Sequence, residues 1–265
     1  MYNHFQLAYK YLHYYFTASN GKGHGTHSPF VFEFITKMLN DKAFYPEYKQ
    51  VEQLRSHLLK DKTVLQVQDF GAGSSLSKTN QRSIASIAKN AAKPKKLGQL
   101  LFRMVRHYQP ATILELGTSL GITTAYLSLG NPKASLITLE GASAIANSAK
   151  HNFEKIKLSN YTLLEGNFDH TLSAALNSVT TFDFVFIDGN HRQEPTERYF
   201  NQLLPSLTDR SLIVFDDIHW SPEMEAAWDT IKKHPAVRCT IDLFFIGIVS
   251  INKSFIEKQH FSIRF

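Results

Sequence analysis

Residues 111–124 read "ATILELGTSLGITT". A short, β-branched apolar run ends in Glu115 and Leu116. Gly117 and Gly121 then carry the chain into a second apolar stretch that closes at Gly130. This spacing predicts a strand, a tight glycine turn and a helix. The same alternation continues downstream. Strands are expected at 134–140, 161–166, 182–189 and 210–217, and helices at 143–157, 169–177, 194–204 and 222–233. The stretch "VRCTIDLFFIGIVSIN" (237–252) reads as two strands broken near Leu243, with no room for a helix between them. Five strand–helix units and a closing hairpin predict an α/β fold. Its sheet is doubly wound, Rossmann-like and seven-stranded, mostly parallel with an antiparallel edge hairpin.

Residues 1–110 have a different texture. Helical spacing recurs at 1–16, from Pro29 (with Ser28 as N-cap), at 47–60, at 80–92 and at 97–108. The expected division is a helical N-terminal cap over 1–94 and an α/β domain over 95–265. The 265 residues, 43% hydrophobic and 20% charged, exclude a disordered or fibrous chain. One cysteine, Cys239, allows no internal disulfide and fits a reducing, cytoplasmic setting. The N-terminus makes a poor signal peptide, and the longest apolar run, 243–251, is too short to span a bilayer. No membrane association is expected. A net charge of +6 permits an anionic ligand or nucleic acid without requiring either.

Open α/β sheets bind ligands beyond the carboxyl ends of their strands, where the motifs of this chain fall. Glycines let the backbone approach a ligand, and a helix N-terminus offers unpaired N–H groups. The loop from Glu115 to Gly121 is neither G-x-G-x-x-G nor a P-loop, which argues against a dehydrogenase and a P-loop nucleotidase. Glu140 ends the second strand, 19 residues after Gly121, where an acid can accept both ribose hydroxyls of an adenosine-type ligand. Asn167 and Phe168 end the third strand, placed to read the edge and pack on the face of an adenine. A second glycine-rich segment, "DFGAGSS" (69–75), has no strand and terminal acid some twenty residues on, so it is not expected to be the cofactor loop.

The stretches "ILELGTSLG", "LITLEG", "EGNFD", "FDFVFIDGNH" and "IVFDD" resemble class I S-adenosylmethionine-dependent methyltransferases. The closest likeness is to the catechol-type O-methyltransferases and their bacterial relatives. It extends over 111–252, and "KKLGQLLFRMV" (95–105) is similar to the helix preceding the glycine loop in that group. The resemblance implies that Glu115, Gly117 and Gly121 line the methionine part of S-adenosylmethionine, with Thr118 and Ser119 in the same loop. Glu140, followed by Gly141, would hold the ribose, and Asn167 and Phe168 would bound the adenine. Family members often carry Asp-Ala where this chain has Asn167-Phe168.

Asp188, Asp216 and Asp217 end the fourth and fifth strands. Carboxylates suit Mg²⁺ or another divalent cation, which lowers the pKa of a bound hydroxyl. The family's metal ligands at the matching positions are Asp, Asp and Asn. By the resemblance Asp188 also faces the cofactor and the reaction. His191 stands where the family places its catalytic lysine, and an imidazole is a competent general base near neutral pH. His219 and Trp220 are expected in the wall of the acceptor pocket, and Asp69 and Arg82 near the acceptor.

The activity these features imply is methyl transfer to a hydroxyl of a small molecule. RNA or protein methylation is the alternative that the charge permits. Against it, "DGNH" stands after the fourth strand where amino-group methyltransferases carry an Asn/Asp-Pro-Pro-Tyr/Phe stretch. A non-catalytic cofactor-binding module is the reading of another class. The aromatic first helix leaves a homodimer open.

Overall fold

A computed structural model describes residues 1–23, 27–67 and 80–265. Its elements, in chain order, begin with α1 (His4–Thr17), α2 (Pro29–Glu33), which runs into a π-helical turn at Phe34–Leu39, and α3 (Pro46–Leu58). Next come β1 (Val64–Gln66), β2 (Gln81–Ser83), α4 (Ile84–Asn90) and α5 (Lys95–Tyr108). The alternating region comprises β3 (Thr112–Leu116), α6 (Ile122–Gly130), β4 (Ser135–Glu140), α7 (Ser143–Lys155), β5 (Tyr161–Glu165), α8 (Phe168–Ser178), β6 (Phe182–Ile187), α9 (Gln193–Leu203), β7 (Leu207–Asp216) and α10 (Pro222–Lys233). β8 (Cys239–Asp242), β9 (Ile246–Ser250) and β10 (Gln259–Ser262) follow. Two compact units divide the chain: Met1–Asp41 with Thr180–Phe265, and Lys42–Val179.

The strands of the alternating region and the tail form an eight-stranded, mostly parallel sheet of the Rossmann-like class. Its order is β10-β8-β9-β7-β6 through the first unit and β3-β4-β5 through the second. In the second unit, parallel pairing sets Leu116 opposite Leu139 and Glu140 opposite Glu165, so the ends of three strands fall at one level. In the first unit, β6 and β7 run parallel, and β9 is antiparallel to both β7 and β8.

The eighth strand is an addition to the seven expected. β10 pairs in parallel with β8, so the β8–β9 hairpin is not the edge of the sheet. Four residues, Gln-His-Phe-Ser, are too few and too polar to show an alternation. The N-terminal region also holds a strand pair that its helical texture hides. β1 and β2 are antiparallel, with Leu65 opposite Arg82, and each is only three residues long.

Local sequence explains the helix ends. Asn3 and Gln6 cap α1 reciprocally at 2.9 and 3.0 Å. Ser221 accepts from Met224 N–H at 3.2 Å ahead of Pro222, and Glu223 and Glu225 fill the first turn of α10. Ser28 holds the N-cap position of α2, as expected, but makes no side-chain cap bond. In the second unit Leu54, Leu58, Ile87, Phe102, Tyr126 and Phe153 share one core. α5 packs on α6 with Gly98 against the Tyr126 ring, where a Cβ would sit 2.5 Å from it.

Candidate functional site

The glycine loop lies in the second unit, and its backbone takes three left-handed residues: Gly117 (φ 106°), Ser119 (φ 48°) and Gly121 (φ 84°). Gly117 and Thr118 both donate N–H to Leu139 O, at 2.9 and 3.0 Å, which fastens the loop to the end of β4. Gly121 N–H closes a turn on Thr118 O at 2.9 Å before α6 begins. A Cβ on Gly121 would meet the Phe153 ring at 2.3 Å. Only glycine satisfies both the dihedral and this packing.

Burial divides the loop into two roles. Gly117 and Ser119 are partly open, whereas Glu115 and Thr118 are enclosed at 0% and 1% exposure. Glu115 Oε2 accepts from the Thr124 and Thr138 hydroxyls at 2.5 and 2.7 Å, and the Thr138 hydroxyl lies 2.6 Å from that of Thr118. This buried network joins β3, β4 and α6 beneath the loop. Glu115 and Thr118, expected in the cofactor loop, have their side chains beneath it, while Gly117 and Ser119 are its open residues. Through Glu115 Oε2 and the threonine hydroxyls, the two buried residues support the loop from below.

Glu140 is half-buried at the end of β4. Its Oε2 accepts from Ser119 N–H at 2.8 Å and its Oε1 from Ala142 N–H at 2.9 Å. Two backbone donors thus fix the carboxylate beside the loop. Gly141 is half-buried next to it. Gly166, at φ 131°, donates to Glu140 O at 2.9 Å and holds the end of β5 at the same level. Asn167 caps α8 through Oδ1, which accepts from Asp169 N–H at 3.0 Å, and Phe168 is half-buried beside it.

Not legible from local spacing is a cavity of about 280 Å³ lined by Gln66, Val67, Asn80, Ser143 and Ala144. Ser143 and Ala144 open α7, just after Glu140 and Gly141 in the chain. Asp69, the 69–75 segment and His24 lie outside the described residues. Arg82 is half-buried in β2.

The first unit carries the acids. Ligand atoms of Asp188, His191 and Asp216 lie within 4.8 Å of one another. Asp188 and His191 are partly buried and Asp216 is 1% exposed. Asn190 and His191 have positive φ, 66° and 22°, so the chain doubles back after Asp188 and brings His191 Nε2 to 3.4 Å from Asp188 Oδ1. The Asn190 side chain donates to Tyr199 Oη at 3.1 Å and accepts from Arg192 Nε at 2.8 Å, pinning the bend.

Asp217 is outside this group. Successive strand residues point to opposite faces, and Asp217 turns left-handed (φ 54°) to donate its N–H to Phe245 O at 2.7 Å. The group that the geometry brings together holds His191, expected as a base, beside Asp188 and Asp216.

His219, expected in the acceptor wall, is held by two acids. Its Nδ1 is 3.0 Å from Glu225 Oε1 and its Nε2 2.8 Å from Asp242 Oδ2, and its ring stacks on Phe244 at 5.2 Å. Burial pulls its pKa down, but Asp242 and Glu225 outweigh burial and hold it above the usual value. Glu225 Oε2 also accepts from Tyr2 Oη at 2.6 Å, and Lys10 Nζ lies 3.0 Å from both Glu225 oxygens. Both His219 nitrogens are engaged in an internal clamp that includes α1, so the ring does not present a free nitrogen to an acceptor. Glu225 and Asp242 were not legible as its partners. Trp220 is half-buried, with its ring 5.7 Å from that of His191.

The sequence profile of a family described as "Methyltransferase domain" matches residues 114–218. Among solved structures, the S-adenosylhomocysteine-bound methyltransferase PaMTH1 of Podospora anserina is 16% identical. It covers 80% of this chain and 90% of its own, with a TM-score of 0.58. An O-methyltransferase from Bacillus cereus in complex with S-adenosylhomocysteine is 19% identical over 79% and 92%, TM-score 0.57. TomG from Streptomyces achromogenes, an O-methyltransferase crystallised with S-adenosylmethionine, is 16% identical over 78% and 91%, TM-score 0.55. The chain has the fold of class I methyltransferases. Among the described residues, no helix is long and apolar enough to cross a membrane.

Proposed function

We propose that the protein transfers a methyl group from S-adenosylmethionine to a hydroxyl of a small molecule, with a divalent cation on the acceptor side. The observation that carries this reading is Glu140, a strand-end carboxylate fixed by Ser119 N–H beside a glycine loop. Such a carboxylate suits the two ribose hydroxyls of an adenosine-type ligand. The methyltransferase-domain match over 114–218 and the cofactors bound to the structural neighbours support the choice of cofactor.

Bound S-adenosylmethionine supplies an electrophilic sulfonium methyl group. Glu140 accepts from the ribose hydroxyls, and the backbone at Gly117 and Ser119 approaches the methionine end. The amide nitrogen of Asn167 is placed for the adenine edge, with Phe168 against the ring. Asp188, His191 and Asp216 would hold a cation, and their donor set of two carboxylates and one imidazole suits a divalent ion. A cation held there would supply Lewis acidity to the acceptor hydroxyl. These residues also fix the acceptor oxygen, and much of the rate gain in a one-step displacement comes from such positioning.

A cytoplasmic setting agrees with the single, buried Cys239, whose thiol burial pushes up to about 12. On the outer face of α1, Phe5, Tyr9, Leu12 and Phe16 are exposed at helical spacing. Together with Tyr15 they form a contiguous aromatic face of the kind that a protein interface buries. A second copy of the chain is the occupant this favours, and sedimentation of wild type against Phe5→Ser with Phe16→Ser tests it.

The test of function is a methyl-transfer screen over phenols, catechols, sugars and RNA, with and without EDTA. Label on a small hydroxylated acceptor, lost with EDTA, is the expected outcome. Label on RNA alone would overturn the reading.

A further inference from the structure

We propose that Asp188, His191 and Asp216 form a mixed carboxylate–imidazole centre that selects a divalent transition ion over Mg²⁺, with His191 as a ligand and not a proton acceptor. This rests on the metal-assisted reading above and specifies the ion and the role of the histidine. Three observations carry it.

The first is distance. His191 Nε2 and Asp188 Oδ1 are 3.4 Å apart. That is longer than the range of about 2.7–3.2 Å for an N–H···O hydrogen bond and within ion-pair reach. Two ligand atoms each bonded at about 2.1 Å to a tetrahedral ion lie about 3.4 Å apart, and about 3.0 Å apart around an octahedral one. The pair already has the edge length of a coordination polyhedron. The third donor, from Asp216, is within 4.8 Å, so a small side-chain rotation completes the set.

The second is the backbone that delivers the imidazole. Two consecutive non-glycine residues, Asn190 and His191, have positive φ. Such residues are strained and persist where surrounding structure over-determines them. Here the buried Tyr199 and Arg192 hold Asn190, and the result is His191 folded back onto the two acids.

The third is the chemistry of the donors. Mg²⁺ takes oxygen ligands and dehydrates reluctantly, whereas imidazole suits Zn²⁺, Fe²⁺, Co²⁺ and Ni²⁺. Three protein ligands leave positions open for an exogenous oxygen. A metal-bound imidazole nitrogen has no lone pair left to take a proton. A centre of this kind therefore separates the two roles that sequence spacing alone gives to His191 and Asp217.

Cobalt(II) is the probe, because its visible spectrum reports nitrogen coordination directly. The metal-free protein is titrated with Co²⁺ and, separately, with Mg²⁺ by calorimetry. Wild type is compared with His191→Ala and with His151→Ala, which removes an exposed histidine of α7. Co²⁺ is expected to bind at least tenfold more tightly than Mg²⁺. His191→Ala should weaken Co²⁺ at least tenfold and alter its spectrum, while His151→Ala changes neither. S-adenosylhomocysteine binding, measured on each variant, confirms the fold. Equal affinity for Mg²⁺ and Co²⁺, no Co²⁺ binding, or a Co²⁺ spectrum indifferent to His191→Ala would each overturn the proposal. Failure of wild type to bind S-adenosylhomocysteine would instead strike the methyltransferase reading itself.

Discussion

The carboxylate of Glu140 accepts the backbone N–H of Ser119 at 2.8 Å, tying the acid at the end of β4 to the glycine loop after β3. Ser119 is left-handed without being glycine, so this hydrogen bond helps hold a conformation that costs energy. The bond sets the acid and the loop in one fixed relation before any ligand arrives.

Removing that carboxylate should cost most of the cofactor affinity. Hydrogen bonds to a charged group contribute about 1.5–3 kcal/mol each, so losing two ribose contacts in Glu140→Ala should weaken S-adenosylhomocysteine by at least tenfold. Glu140→Gln keeps one carbonyl acceptor and should lose less. Calorimetric titration of both variants checks the order. Unchanged affinity in Glu140→Ala would remove Glu140 from the site.

Gly121→Ala should destabilise the fold by about 2–5 kcal/mol. The cost combines a left-handed alanine, about 1–2 kcal/mol, with overpacking against Phe153, about 1–3 kcal/mol. Gly166→Ala, whose added Cβ meets only Thr171 Cγ2 at 3.4 Å, carries the backbone cost alone and should fall by less. Urea unfolding separates the two.

The network below the loop should fail when one member is deleted. Thr138→Val leaves buried Glu115 with one fewer donor and the Thr118 hydroxyl without its neighbour. An unpaired buried polar atom costs about 1–3 kcal/mol. Chemical denaturation should register that loss, together with weaker S-adenosylhomocysteine binding as the loop loses its support.

The clamp on α1 should be pH-dependent in two directions. The folded pKa of His219 is raised above its usual 6.5, so its contribution is full below that value and is lost as pH rises through the folded pKa. Burial opposes ionisation of Glu225, but Tyr2, Lys10 and His219 outweigh burial and hold its pKa below the usual 4.5. Its contribution is full above 4.5 and is lost as pH falls through the folded pKa. The stability gap between wild type and His219→Gln should therefore be widest between these two values and shrink at alkaline pH. Thermal unfolding across pH 4–9 reads it, and a gap that widens as pH rises above 6.5 would contradict the clamp.

The alternating strands were legible because each carries a long apolar run ending in a glycine or an acid. That same pattern located Gly117, Glu140 and Asp188 at strand ends. β10 was not legible, since four partly polar residues carry no period, and neither was the three-residue pair β1 and β2. The grouping of His191 with Asp188 and Asp216 was hidden for a different reason. It depends on positive φ at Asn190, His191 and Asp217, and no glycine marks any of them. The clamp on His219 was hidden because Asp242 stands 23 residues away on another element, where local spacing carries no information.

Titration of the purified chain with S-adenosylhomocysteine bears most directly on the proposed activity. Saturable single-site binding is expected, undiminished by excess NAD and lost in Glu140→Ala. Absence of binding at millimolar S-adenosylhomocysteine in protein shown to be folded, or equal binding by Glu140→Ala, would contradict it.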